Sequence, residues 1–283
     1  MTQPTTFSCE LHYRPIRWWS SINWQEFFWY KDFLLLLIWR NISIRYRQTV
    51  IGVAWVVLQP IVNLVVFTLV FNRMAGIQSS YGLPYPIFLM TGLLFWQYFS
   101  TALTFASNAL IDNPELVNKV YVPRYMLPLA VVVSVGIDFC VGTGLLLIML
   151  VCWGTSFSIT GLLILPVLFL CVMLAVFGLG LILSSINAQF RDIRFVVPFF
   201  LQVLFYLTPV FYPIEILNNH LLLKQVLLVV NPLTGMITLA RSCIAGTGFD
   251  AGLLGISMGV SIGIFVVAWF FFRRREMILA DII

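Results

Sequence analysis

Long apolar runs separated by short polar breaks set the pattern of this chain. The first long run is uncharged from Gln48 to Asn72 and follows Arg40, Arg45 and Arg47. At about 1.5 Å of rise per residue it exceeds a ~30 Å hydrocarbon core, which predicts a tilted transmembrane helix. A second apolar run covers about Ile87 to Ala106 and is rich in aromatics. Tyr125 to Phe190 then carries a single charge, Asp138, over a length too great for one crossing. Gly154-Thr155-Ser156, with Gly161 close behind, divides it into spans at Met126–Trp153 and Gly161–Ile186. A fifth span is expected from Phe195 to about Pro213 and a sixth from Ala251 to Phe272, stopped by Arg273-Arg274-Arg275.

Two shorter patterns differ from these. Phe33, Leu34, Leu37, Ile38 and Ile42 share one helical face, with Lys31, Arg40 and Arg45 around them. That amphipathic stretch predicts a helix lying in the cytosolic interface over 33–44. The region 214–245 is apolar but broken at Asn231-Pro232, and predicts two short helices dipping into the outer leaflet. Between the second and third spans, Asn113-Pro114-Glu115 opens a short surface helix and Pro123 limits it.

Charge orients the pattern. With both termini in the cytosol, all but Arg73, Lys224 and Arg241 of the sixteen basic residues face inward. A seventh crossing through Gln225–Ala240 would put the triple arginine outside, so six spans fit the positive-inside bias. The expected fold class is therefore an all-α polytopic membrane protein. Residues 1–32 form a cytosolic segment and 33–283 the membrane domain. Composition agrees: 61% hydrophobic and 10% charged is too little charge for a soluble domain of 283 residues. The net charge of +5 is explained by topology, with no need for a nucleic-acid partner.

Catalytic chemistry is absent from the pattern. No nucleophile elbow, zinc-protease helix or Walker A loop occurs, and none of the lysines Lys31, Lys119 and Lys224 follows a glycine. Cys9, Cys140, Cys152, Cys171 and Cys243 form no C-x-x-C pair, and His12 and His220 fall on opposite sides of the membrane, so no metal site is expected. Asp138 is either an intramembrane ion site or a carboxyl satisfied within the bundle; one lone charge favours the structural role. Two stripes stand out. Trp55, Gln59, Asn63, Phe67 and Phe71 recur every four residues on the first span, and Phe195, Phe199, Gln202 and Tyr206 recur every three or four on the fifth. Amides facing lipid are costly, so such stripes face either neighbouring helices or a shared lumen. Aromatic faces beside amides suit hydroxyl-rich molecules sliding past.

The runs RYRQTVIGVAWVVLQP, PYPIFLMTGLLFWQYFS, NPELVNKVYVPRYMLPLA, TPVFYP and NPLTGMITLAR, in that order, resemble the permease subunit of polysaccharide ABC exporters. O-antigen export permeases are the nearest group, teichoic acid and capsular export permeases next. The resemblance covers about Phe33 to the C-terminus. It implies six spans, a homodimer and two copies of a separate ATPase chain that binds ATP and Mg, so this chain needs no cofactor. It also implies an interface helix at 33–44, a coupling helix at 113–125 and outer gate helices at 214–245. The implied substrate is a lipid-linked polysaccharide on undecaprenyl pyrophosphate, moved from cytosol to periplasm across a bacterial inner membrane.

Taken with the residue patterns, this assigns Trp55, Gln59, Asn63, Phe67, Phe71, Phe199, Gln202 and Tyr206 to a channel. It assigns Asn113, Glu115, Lys119 and Arg124 to contact with the ATPase. Arg40, Arg45 and Arg47 would meet the lipid pyrophosphate, since guanidinium grips phosphate with a planar fork; their alternative role is to orient the chain. Two rival classes are an ATPase-independent secondary transporter, which would run on an ion gradient alone, and a polyprenyl-lipid enzyme, which would need clustered acids.

Overall fold

A computed structural model of the chain describes residues 24–47, 52–119, 122–155, 157–190 and 192–282. Regular structure among them is helical throughout, with no strand. The order is α1 (Trp24–Trp29), α2 (Lys31–Arg47), α3 (Gly52–Phe67), α4 (Tyr85–Asn108), α5 (Pro114–Lys119) and α6 (Met126–Cys152). Then come α7 (Ile159–Gln189), α8 (Ile193–Leu207), α9 (Leu221–Val230), α10 (Pro232–Ile244) and α11 (Ala251–Ile282). A π-helical turn, Thr68–Met74, extends α3, and a 3-10 turn, Ile214–Asn219, precedes α9. Five helical segments are long and apolar enough to cross a membrane, or six if the bent pair α9–α10 counts as one.

Boundaries shift from the expected ones for identifiable reasons. The interface stretch expected at 33–44 sits within the longer α2. Of 113–125, only Pro114–Lys119 is helical among the described residues; Pro123 lacks an N–H and restrains the residue before it. The fifth apolar helix, expected to reach Pro213, ends at Leu207, because Thr208 precedes Pro209 and takes an extended ψ of 135°. Helix α11 runs ten residues past the expected end at Phe272. Arginine stops a membrane span but is a good helix former, so the helix continues. Gly154 (φ +59°) closes α6 where the break was expected.

Helix α4 is the central post. It packs against α6, α7, α8 and α10, while α7 lies along α11 and α2 along α6. Over its most apolar stretch α4 is 78% buried within the chain, whereas the first span is 6% buried. The first span therefore sits at the margin, with Leu58, Val62, Val65, Val66 and Leu69 exposed. Side-chain caps fix two helix starts. Asn231 Oδ1 accepts from Leu233 N at 3.0 Å before α10, and Asp250 Oδ1 accepts from Gly252 N at 2.9 Å and Leu253 N at 3.1 Å before α11.

Candidate functional site

At its C-terminal end, the first span meets the segment that follows α8. Phe71 stacks on Phe211 with centroids 4.3 Å apart, and Phe67 lies 5.7 Å from Phe71 and 5.6 Å from Phe205. Trp96 of α4 backs Phe205 at 5.2 Å. Phe211 is held there by its backbone, because residues 208–213 are not helical and their carbonyls need donors. Tyr85 Oη donates to the Phe211 carbonyl at 2.8 Å, and Asn231 Nδ2 donates to Thr208 Oγ1 at 2.7 Å. Arg241 holds the segment as well: Nη1 donates to Pro209 O at 2.7 Å and Nη2 to Val210 O at 2.5 Å, while Nε donates to Phe88 O of α4 at 3.1 Å. Its guanidinium lies 3.5 Å over the Phe88 ring, and the residue is 2% exposed. Gly92 makes room, since a Cβ there would come within 2.6 Å of that guanidinium and 2.7 Å of the Val210 carbonyl. Above this layer Ser80 Oγ donates to Glu215 Oε2 at 2.8 Å. Burial first, then the Glu215 charge, pushes the Tyr81 phenol above its usual range, so it stays protonated there.

At the other end, α2 is fastened to the bundle by two arginines. Arg40 Nη2 donates to Asn113 Oδ1 at 2.5 Å, joining α2 to the start of α5. Arg45 Nη1 pairs with Asp138 Oδ2 at 2.7 Å, and the Tyr46 hydroxyl donates to Asp138 Oδ1. Burial, then the bond to Asp138 and its charge, pushes the Tyr46 phenol up to about 12, which keeps it a donor. The Arg45 guanidinium also lies 4.6 Å over the Phe105 ring. Beside this pair is a cavity of about 450 Å³ between α2, α3, α4 and α6, with Gln59, Gln97 and Thr101 on its wall. Thr101 and Phe105 separate it from a groove of about 540 Å³ between α4 and α8, which takes in Ser100, Thr104 and Gln202.

The expected site residues thus fall into groups. Phe67 and Phe71 join the aromatic cluster at Phe211, Gln59 lines the cavity and Gln202 the groove. Asn63 is half-buried on α3; Phe199 and Tyr206 are exposed on α8, though the Tyr206 ring still lies 6.3 Å from Phe211. Within one chain, then, the first-span stripe meets Phe205 and Phe211 rather than Phe199 and Gln202. Arg124 Nη1 donates to the Glu276 carbonyl at 2.7 Å, tying the loop after α5 to α11, where Arg273 pairs with Glu276 at 2.9 Å. Glu115 is exposed. The side chains of Arg47, Trp55 and Lys119 lie outside the described residues.

Sequence reasoning missed three features. The partners of Asp138 lie on α2, 92 and 93 residues away in sequence, and no local signal links them. Arg241 counts in sequence as an outward-facing charge; its position amid apolar neighbours on a short helix was the available sign of burial. The polar row Gln97, Thr101, Thr104 and Asn108 on α4 is legible at spacings of four, three and four, but the aromatics of that span mask it.

Comparison with known proteins adds an independent line. The model of the ABC-2 type transporter family matches residues 33–245. The O-antigen export system permease protein RfbA of Myxococcus xanthus is 29% identical over 215 residues, covering 76% of this chain and 80% of that protein. An RfbA permease of Klebsiella pneumoniae is 24% identical over 252 residues, covering 89% and 95%. The polysialic acid transport protein KpsM of Escherichia coli is 24% identical over 258 residues, covering 87% and 94%. A match across three-quarters of the chain, on helices whose caps, breaks and buried polar ties are those described above, places this protein in the ABC-2 type transporter membrane family.

Proposed function

We propose that this chain is the membrane subunit of an ATP-driven exporter moving a lipid-linked polysaccharide of the O-antigen type, on undecaprenyl pyrophosphate, from cytosol to periplasm. The observation that carries the reading is the first span. It is 6% buried, yet it bears Gln59 and Asn63 and ends in Phe67 and Phe71 against the α8 side. A helix so little covered, with amides along it, fits the wall of a path completed by a second copy. The path runs past Trp55, Gln59, Asn63, Phe67 and Phe71 on one side and Phe199, Gln202 and Tyr206 on the other, and the aromatic layer at Phe211 closes its outer end when idle. The similarity to RfbA permeases supports the substrate class.

Six spans follow in this reading: α3, α4, α6, α7, α8 and α11. The 15 residues of α8 are completed by the non-helical 208–213, and α9–α10, bent by 101°, re-enters from outside. Non-helical backbone at membrane depth requires internal partners, and Arg241 and Tyr85 supply them. Both termini lie in the cytosol of a bacterial inner membrane. Two permease copies pair with two ATPase chains, which dock at Asn113, Glu115, Lys119 and Arg124. Arg40, Arg45 and Arg47 form the basic band that meets the pyrophosphate. Arg40 has only the neutral Asn113 as its described partner and keeps a buried, unbonded Nε, so its charge is uncompensated among the described residues.

The test is a strain lacking this gene. Lipid-linked polymer should accumulate on the cytosolic leaflet, and surface polymer should return when the gene is restored with its partner ATPase. Export by this chain without any ATPase, driven by an ion gradient, would overturn the reading. KpsM similarity supports a capsular polymer as the second reading, which the chemistry of the accumulated glycan decides.

A further inference from the structure

The cavity between α2, α3, α4 and α6 lies inside one chain and shares only Gln59 with the proposed path between two permease copies. At about 450 Å³ it falls in the size range of small-molecule sites. Its walls are largely apolar, with the rings of Tyr98, Phe105 and Phe139 among them. Its polar groups are few: Arg45, Tyr46, Asp138, Gln59, Gln97 and Thr101.

Two properties of those groups select an occupant. First, the charge is balanced. Arg45 is paired with Asp138 at 2.7 Å, so an anion entering the cavity meets a carboxylate as well as a guanidinium. Second, the amides of Gln59 and Gln97 have no hydrogen-bond partner in the chain among the described residues. Each carries two donors and an acceptor. Amides at membrane depth are costly when unpaired, and a ligand with several hydroxyls satisfies both functions at once. Aromatic walls beside amides and a carboxylate accept the C–H face of a ring on one side and its hydroxyls on the other.

We infer that this intrachain cavity is a binding subsite for one neutral, hydroxyl-rich glycosyl ring, held by Gln59, Gln97 and the Arg45-paired carboxylate of Asp138. The inference rests on the export reading. It adds that the sugar next to the carrier lipid is recognised inside each subunit, behind the basic band, before the polymer enters the shared path. A head-group phosphate is the competing occupant that the charge balance disfavours.

The experiment uses membranes holding the full exporter, with the five natural cysteines replaced and Thr101→Cys introduced. N-ethylmaleimide labelling of that position is followed in three preparations: no added lipid, polyprenyl pyrophosphate alone, and the lipid-linked polysaccharide. Labelling should slow about tenfold with the lipid-linked polysaccharide and stay unchanged with polyprenyl pyrophosphate. In the natural background, Gln59→Leu with Gln97→Leu should raise the half-saturating substrate concentration for export about tenfold. ATPase co-purification should be unchanged. Protection by polyprenyl pyrophosphate alone would overturn the inference in favour of a head-group site. Active export with unprotected labelling, or with half-saturation unmoved in the double variant, would overturn it too while leaving the export reading intact. Absence of ATP-driven export by the wild-type complex would instead remove that reading.

Discussion

Asp138 is the sole acid in two consecutive spans, and its position alone leaves open whether it moves ions or holds helices together. The structure pairs it with Arg45 and Tyr46, both on α2, so its carboxylate fastens α2 to α6. Removing either member of an ion pair leaves the other uncompensated, whereas removing both does not. Arg45→Ala and Asp138→Ala should therefore each destabilise the protein in detergent, and the double variant should cost less than the sum, with a coupling of about 0.5–3 kcal/mol by thermal or denaturant melting. Strict additivity would show that the pair carries no stability. Arg241 poses the same question without a carboxylate. Its three acceptors are backbone carbonyls, and each carbonyl orphaned by Arg241→Ala costs about 1–3 kcal/mol. Lysine retains charge but lacks the fork, so Arg241→Lys should also fail to recover wild-type melting. Recovery by lysine would mean that charge alone matters there. Phe67 and Tyr206 separate in the same way. Phe67 is half-buried among rings, so Phe67→Ala should lower stability and leak small solutes through the outer closure. Tyr206 is exposed, so Tyr206→Ala should alter export with stability within about 0.5 kcal/mol of wild type.

Elements carry the next level. Helix α5 has six residues, too short to be stable alone, so its placement depends on its neighbours. Asn113 is tied to Arg40 on α2, and Arg124 to the Glu276 carbonyl on α11. Helix α5 is thus clamped on both flanks, to α2 and to α11, a geometry that passes a push on α5 to the two together. Glu115→Ala with Arg124→Ala should reduce substrate-stimulated ATP hydrolysis in the reconstituted complex while both chains still assemble. Wild-type stimulation in that variant would reduce the loop to a connector. The first span is built differently. Pro60 interrupts its bonding within α3, and its outer end widens into the π-helical Thr68–Met74. Both features weaken a helix locally, and they sit on the span least covered by the rest of the chain.

For the whole molecule, the basic asymmetry and the burial pattern bear on different questions. All but three basic residues face the cytosol in the six-span topology. Cysteine introduced at Ser79, in a cysteine-free background, should react with an impermeant maleimide added to intact cells, and cysteine at the C-terminal tail should react only after lysis. Labelling of the tail from outside would overturn the topology. Burial instead shows which faces the chain itself leaves uncovered. The α4 core needs nothing more, but α3 and α8 leave large apolar residues such as Val62, Val66, Phe195 and Phe199 exposed. Lipid covers some of that surface; the amides beside it call for protein or water.

By itself the sequence determined which segments are apolar helices and where charge and proline interrupt them. Those properties are local: a run of apolar residues, a glycine at Gly154 or an arginine triplet acts on its own neighbours. The family was legible for the same reason, since its motifs are contiguous. Tertiary structure alone decided the partners of buried polar groups. Asp138 meets Arg45, Arg124 meets Glu276, and Arg241 meets the carbonyls after α8. It also decided that the first-span aromatics pack on Phe205 and Phe211, and that Gln59 and Gln97 line one cavity. Such pairings join residues far apart in the chain, through helix rotations set by packing around α4. Apolar periodicity leaves those rotations open, because a helix surrounded by lipid and protein is apolar on every side.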